Sequence, residues 1–379
     1  MMETRSSRGA RKTKPLASLR RTPPGGVQEL ARKGRGALSN ASGRFEAEKR
    51  EREPDSLDIE EDLPPLPTSI THEAAKAIIT RNDSPDLSFD RSINPYRGCE
   101  HGCAYCFARP THAYLGLSPG LDFETKLFSK PNAAQLLKEE LSRPNYRAKT
   151  IAIGTNTDPY QPAERKERVM RAVLEVLAAA NHPVAIVTKS ANVLRDLDLL
   201  KPMAEKGLVK VALSITTLDP HLARKMEPRA TSPERRLEAI GGLAQAGIPA
   251  AVMVAPIIPA INDSEMEAIL ARARAAGATE AGYVLLRLPG EVKDLFSEWL
   301  EAHYPHKAKH VLSLVRDTRG GKLYDSTFGL RAKGTGAFAA LIARRFELAV
   351  AKLGFRERFT ALRTDLFLPP RQGEQLRLF

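Results

Sequence analysis

From about residue 85 the chain alternates short apolar runs with longer amphipathic stretches. The apolar runs predict strands near Asp86–Asn94, Thr150–Gly154, Val184–Thr188, Val209–Ser214, Ala250–Ala255 and Gly282–Leu286. Between them, apolar residues recur at helical spacing. "NAAQLLKEEL" has Asn132 as its N-cap, and "RKERVMRAVLEVLAAA" carries a single apolar stripe. "SPERRLEAIGGLAQAG" sets Ser232 at the cap, Pro233 in the first turn and Gly247 at the stop. "SEMEAILARARAAG" and "VKDLFSEWLEAH" read the same way. Such alternation predicts a parallel sheet with helices packed outside it. Six strand–helix units are countable, fewer than the eight of a closed barrel.

Parallel α/β sheets carry their chemistry at the carboxyl ends of the strands. The second strand runs into "GTNTDPYQPAE", the third into Thr188-Lys189-Ser190, and the fourth into Ser214-Ile215-Thr216-Thr217. The fifth leads into "APIIPAIND" and the sixth into Arg287. Hydroxyls, an amide, a carboxylate and a lysine thus gather at one rim. Each Ser or Thr taken singly also serves as a helix cap or turn former, so the set carries more weight than any member. Asp158 before Pro159 has two readings, an acceptor on the rim or a turn residue that caps the next helix.

The flanks differ from this core. Residues 1 to 60 show no apolar period, are rich in Gly, Pro, Ser and Arg, and end in the acidic "DIEEDLPPLP"; a disordered basic tail is expected there. The α/β core is expected over 85–303 and a basic C-terminal extension, packed on it, over 304–379. In the extension, "YDSTFGLRAKGTGAFAALIARRFELAVAKLGF" places Gly329, Gly334 and Gly336 around Arg331 and Lys333 ahead of a helix beginning near Ala337. A Gly-rich basic turn opening a helix can cradle an anion. The same helix can instead close the open edge of the sheet.

Charge follows the same division. Residues 1–53 hold 14 Lys/Arg and 6 Asp/Glu (+8), residues 54–303 hold 29 and 33 (−4), and residues 304–379 hold 15 and 6 (+9). Basicity at the two ends makes nucleic acid a candidate partner. With 42% hydrophobic and 27% charged residues in 379, the chain can bury a sizeable core. No run approaches the roughly 20 apolar residues of a membrane span, and the N-terminus lacks the apolar stretch of a secretory signal. A cytoplasmic protein without membrane association is expected, although the Arg-rich, Ser-containing start also imitates an organellar transit peptide.

All three cysteines, Cys99, Cys103 and Cys106, fall in "RGCEHGCAYC". Three thiols so close together argue for a metal or catalytic site rather than a disulfide framework. Structural zinc requires four ligands, so His101 or His112 would have to complete such a site. Ordinary electron-transfer clusters use four cysteines. Three thiolates on four irons leave one iron open to a substrate or cofactor. Gly98 and Gly102 flank the first two cysteines, where positive φ and backbone room are expected.

C-x3-C-x-aromatic-C after the first strand, with Tyr105 as the aromatic, resembles the signature of the radical S-adenosylmethionine (SAM) superfamily. "NPYRGCEHGCAYCFAR" with "GTNTDPYQPAE" is similar, more narrowly, to an uncharacterised branch related to spore photoproduct lyase, over about residues 85–300. The resemblance implies an α/β fold, a partial (β/α)6 TIM-like barrel of the radical SAM type. It implies a 4Fe-4S cluster on Cys99, Cys103 and Cys106, with SAM chelating the open iron through its methionine amino and carboxylate groups. Reductive cleavage of SAM then yields a 5′-deoxyadenosyl radical that takes hydrogen from a substrate. By the same resemblance Tyr105 lies near the adenine. Thr155, Asn156, Thr157 and Asp158 occupy the place of the segment that holds the methionine amino group, departing from the commoner Gly-Gly-Glu pattern. Lys189 and Ser190 are expected at the carboxylate or ribose and Ser214 at the ribose. Arg229 reads either as a partner of a cofactor carboxylate or as a surface residue.

A reductant such as flavodoxin or ferredoxin is the implied partner. Spore photoproduct lyase repairs DNA, which agrees with the basic ends. That enzyme returns a hydrogen atom through an additional cysteine, which this chain lacks, so the same reaction is not expected; Tyr160 is the candidate replacement. The rival reading is a non-catalytic iron–sulfur or zinc protein that binds nucleic acid or acts as a sensor.

Overall fold

Strands form where the apolar runs predict them, and two small additions frame them. In the computed structural model, which describes residues 33–46, 66–357 and 359–370, the strands are β1 (Ser69–His72), β2 (Ile79–Arg81), β3 (Arg91–Ile93), β4 (Tyr96–Arg97), β5 (Lys126–Ser129), β6 (Ile151–Ile153), β7 (Val184–Thr188), β8 (Val209–Ser214), β9 (Ala250–Ile257) and β10 (Glu280–Leu285). The main sheet runs in the order β10-β9-β8-β7-β6-β3-β2. Its six strands from β3 to β10 are all parallel, and β2 joins antiparallel to β3. This is the partial (β/α)6 barrel, open between β2 and β10. Only Arg91–Ile93 of the expected first strand pairs in the sheet, because residues 82–90 turn the chain back from β2, with the Asn82 amide donating to the Phe89 carbonyl at 3.2 Å.

Helices cover the sheet through the stripes visible in the sequence. Val169–Ala179 buries Val169, Met170, Val173, Leu174, Val176 and Leu177, and each such side chain contributes roughly 1.5–3 kcal/mol. Pro233–Gln245 starts with Pro233 after Ser232, as capping logic predicts, although Ser232 makes no side-chain cap bond. A second apolar cluster lies under the rim. There Cys103, Ala104 and Tyr105 pack with Leu222, Met226, Ile258, Leu286 and Trp299, so the cysteine loop is part of a core rather than a surface excursion.

The C-terminal helix Gly336–Leu353 packs on Met266–Ala275 and on β10. The strand preceding the opening is thus covered, and Leu285 N–H donates to the Ala332 carbonyl at 2.9 Å. The anion-cradle reading of the Gly-rich turn does not hold. Arg331 pairs with Asp86 and donates to Ser84, and Gly329 N–H also donates to Asp86. These bonds tie the β2–β3 turn to the segment beside β10, across the opening of the barrel.

Most of the expected disordered tail lies outside the described residues. Residues 33–46 are a correction to it, since they are folded against the cysteine loop. The Gly36 and Ala37 N–H groups donate to the buried Glu124 carboxylate at 3.0 and 2.8 Å, and Arg35 donates to the Glu124 carbonyl at 2.9 Å. Low apolar content concealed a segment held largely by polar contacts, with Ala37 and Leu38 its buried apolar residues. Among the described residues no helix is long and apolar enough to cross a membrane.

Candidate active site

The cysteine loop leaves β4 and is clamped along its length. Cys99 N–H donates to the Phe123 carbonyl at 3.0 Å and Ala104 N–H to the Met226 carbonyl at 3.0 Å. Gln161 accepts from Glu100 N–H at 2.9 Å and donates to the Gly98 carbonyl at 3.2 Å. The fully buried Arg109 donates to the Cys103 carbonyl at 2.9 Å and pairs with Glu124. Gly98 and Gly102 have φ of 75° and 66°, as expected. The room they give is taken by protein. A Cβ on Gly102 would stand 2.7 Å from Glu124, and one on Gly98 would stand 2.8 Å from Leu127.

All three cysteines are free thiols, with Cys99 and Cys103 buried and Cys106 half-buried. Burial, then the charges of Asp158 and Cys103, push the Cys99 thiol up. Burial, only partly opposed by Lys189, pushes Cys103 up to about 12. Soft thiolates on a loop whose backbone is already satisfied fit an iron–sulfur cluster. Among the described residues no three His, Cys, Asp or Glu side chains converge as the ligands of one metal ion do. Cubane thiolates bind separate irons and need no such convergence, whereas the zinc alternative does. Of its two candidate fourth ligands, His101 is turned to a carboxylate, whereas the buried His112 Nδ1 has no hydrogen-bond partner among the described residues. His101 faces Asp158 at 3.5 Å, and His112 Nε2 donates to the Lys126 carbonyl at 2.9 Å.

The rim residues divide into two groups. Asp158 accepts from Thr188 Oγ1 and Lys189 N–H, both at 2.7 Å, and from Tyr160 N–H at 2.9 Å. It therefore ties the end of β6 to the end of β7, which is the turn-forming reading. Thr157 is buried and donates to the Tyr96 carbonyl at 3.1 Å, and Ser190 caps a short helix by accepting from Asn192 N–H. These three brace the rim. Thr155, Asn156, Lys189 and Ser214 keep their side-chain polar groups without hydrogen-bond partners among the described residues. Lys189 Nζ stands 5.8 Å from the centroid of the Tyr105 ring, so a cation and an aromatic face meet beside Cys103.

Two expectations are corrected. Tyr160 is fully buried in the main core, with Arg195 5.8 Å from its ring centroid, and its hydroxyl faces Asp196 without a well-formed hydrogen bond. The pocket side of the rim is closed to it. Arg229 pairs with Glu100 at 2.9 Å rather than standing free for a cofactor, and its N–H donates to the His101 carbonyl at 3.2 Å.

Glu227, which sequence reasoning passed over, is the centre of the site's charge network. It accepts from Tyr105, from Thr216 at 2.9 Å and from Arg236, and both members of the Glu227–Arg236 pair are buried. Burial alone would raise the Glu227 carboxyl, but Arg236, Lys189 and the Tyr105 hydroxyl together hold it below the ordinary glutamate value. The signal available in the sequence was "KMEPRATSPERR", where an acid lies between a strand end and a helix start that carries arginines.

The Radical SAM superfamily model matches residues 93–273. An uncharacterized protein of Mycobacterium tuberculosis is 41% identical over 232 residues, covering 61% of this chain and 68% of that protein. An uncharacterized protein of Methanocaldococcus jannaschii is 30% identical over 173 residues, covering 46% and 62%. Among solved structures, a spore photoproduct lyase variant with bound AdoMet and dinucleoside spore photoproduct superposes with a TM-score of 0.56 at 17% identity, covering 77% of this chain and 82% of that one. Another spore photoproduct lyase structure, complexed with dinucleoside spore photoproduct, gives 0.55 at 18% identity, covering 76% and 80%. At these identities the structural likeness concerns the fold. The three thiols lie inside the matched span, on a loop at the carboxyl end of a six-stranded parallel sheet, and this chain belongs to the radical SAM superfamily.

Proposed function

We propose that the protein is an enzyme that uses Cys99, Cys103 and Cys106 to hold a 4Fe-4S cluster and binds SAM against the rim formed by β6, β7 and β8. A cluster held there would supply the electron for reductive cleavage of SAM, the chemistry that yields methionine and a 5′-deoxyadenosyl radical able to take hydrogen from a substrate. The observation that carries this reading is the set of unengaged polar groups on the rim: Thr155, Asn156, Lys189 and Ser214. Their placement beside a clamped triad of thiols suits a bound cofactor.

Tyr105 supplies an apolar face suited to the adenine, and Glu227 fixes that face by accepting its hydroxyl. Lys189 offers an ammonium for the methionine carboxylate, while Asn156 and Thr155 offer oxygen acceptors for the amino group. Burial keeps water from Cys99 and Cys103, while the half-buried Cys106 faces the open side of the loop. The electron comes from a small reductant of the flavodoxin or ferredoxin kind.

Anaerobic reconstitution with iron and sulfide, followed by SAM and a strong reductant, tests this by chromatography for 5′-deoxyadenosine. The expected result is product that disappears in Cys103→Ala. A well-formed cluster that never cleaves SAM would refute the enzyme and return the protein to the non-catalytic cluster reading.

A further inference from the structure

Two cations stand over the aromatic residues on either side of Cys106 in the chain, and only one has a use in the reading above. Lys189 stands over Tyr105, and Arg287, delivered to the rim by β10, stands 4.9 Å from the ring centroid of Phe107. Phe107 follows the last cysteine directly and keeps 43% of its surface exposed. Arg287 makes no ion pair or hydrogen bond among the described residues, and its Nε is buried without an acceptor.

Behind it lies Arg319, which is 2% exposed. Arg319 donates to the carbonyls of Leu330 at 2.9 Å, Leu286 at 2.7 Å and Leu285 at 3.4 Å. Leu286 is the chain neighbour of Arg287, so the two guanidiniums share one corner of the rim. Arg319 Nε is also buried and unpaired. Burial, then the like charge of Arg287, lower the Arg319 pKa, against weaker help from Asp325. Among the described residues no carboxylate forms an ion pair with either arginine.

Two adjacent guanidiniums, each with a desolvated and unmatched donor, are poorly placed for each other and well placed for an anion. An oxyanion between such donors makes charge-assisted, fork-directed hydrogen bonds that water at a crowded apolar corner does not replace. We propose that Arg287, backed by Arg319, is an oxyanion subsite that takes a phosphoryl or carboxylate group of the substrate, with the Phe107 ring as its apolar neighbour. Calling the ligand a substrate rests on the proposed radical SAM activity; the anion site itself rests on the two arginines.

The reconstituted full-length protein is titrated calorimetrically with orthophosphate and, separately, with acetate. Wild type is compared with Arg287→Gln, and with Arg344→Gln on the exposed face of the C-terminal helix. SAM affinity is measured on the same samples by equilibrium dialysis. The expected result is that at least one anion binds wild type, that Arg287→Gln weakens it at least tenfold, and that Arg287→Lys restores only part of the loss. Arg344→Gln and wild type agree within twofold, and SAM affinity in Arg287→Gln stays within twofold of wild type. The preferred anion identifies the substrate group as phosphoryl or carboxylate.

The proposal is overturned if neither anion binds wild type, if Arg287→Gln binds as tightly as wild type, or if Arg344→Gln weakens binding equally. Parallel loss of SAM affinity in Arg287→Gln also overturns it, by giving the guanidinium to the cofactor. Formation of 5′-deoxyadenosine by wild type is recorded separately. Its absence would refute the enzyme reading while the anion titration still decides the subsite.

Discussion

Replacing Glu227 by Gln should be among the most costly single changes near the rim. The Arg236 guanidinium is 1% exposed and its partner carboxylate 0%, so the variant leaves a buried cation without its counter-charge. Breaking such a pair typically costs about 3–5 kcal/mol. The lower part of that range applies here, because Arg236 still donates to the Thr231 and Ser214 carbonyls at 2.7 and 2.9 Å. At roughly 2–4 °C per kcal/mol for domains of 150–250 residues, the melting temperature falls by roughly 6–12 °C. Arg236→Gln alone should cost a similar amount, since it strands a buried carboxylate. The double variant should lose less than the sum of the two, with a coupling of about 1–3 kcal/mol.

The assay is denaturant or thermal unfolding of the four proteins of the cycle, at pH 7 and again in acid. Because the Glu227 carboxyl is held below its ordinary value, its contribution is fully present above the ordinary carboxylate range and is lost as pH falls through the folded-state value. The gap between wild type and Glu227→Gln should therefore close on acidification. Additive single losses, or a loss for Glu227→Gln well under 1 kcal/mol at pH 7, would refute the charge-network account.

Two further predictions concern elements away from that pair. Burial lowers the His182 pKa to about 4, and its neutral ring accepts from the Tyr146 hydroxyl at 2.8 Å. Stability from this group is full above the ordinary histidine value and is lost as pH falls, by roughly 2 kcal/mol between pH 7 and pH 5; urea unfolding at the two pH values should show this loss in wild type and not in His182→Phe. Gly36→Val should lift residues 33–46 from the cysteine loop, because a Cβ there would overlap the Gly102 carbonyl oxygen. Iron–sulfur absorbance of the reconstituted variant should then bleach in air several-fold faster than in wild type, and equal rates would mean that the segment does not shield the loop.

The sequence was most legible where periodicity and local chemistry agreed. Val184–Thr188 and Val209–Ser214 form strands at the predicted limits, because β-branched runs between turn residues have few competing structures. The cysteine spacing carried the resemblance to the radical SAM superfamily, and the family match over residues 93–273 bears that out. Less legible were interactions that join residues far apart in the chain. Tyr105 meets Glu227, Arg331 meets Asp86, and residues 33–46 meet Glu124, and no local pattern marks such pairs. Tyr160 misled for a different reason. It was a candidate only because the chain has no fourth cysteine to return a hydrogen atom, but its ring lies in the core. Asp158, Thr157 and Ser190 lie at the rim, and their hydrogen bonds go to the protein.

These long-range ties brace the cysteine loop that the proposed cluster would occupy. Its carbonyls and N–H groups are met by Gln161, Arg109, Phe123, Met226 and Arg229, so its backbone is braced by protein. The thiols are the exception. Burial raises Cys99 and Cys103, and a protonated thiol in that place is inert. Cluster binding must then release protons from groups that hold them tightly, so assembly should become more favourable as pH rises. A loop prepared in backbone but reluctant in charge favours a polycationic iron core that neutralises the thiolates together, and it disfavours their stepwise oxidation.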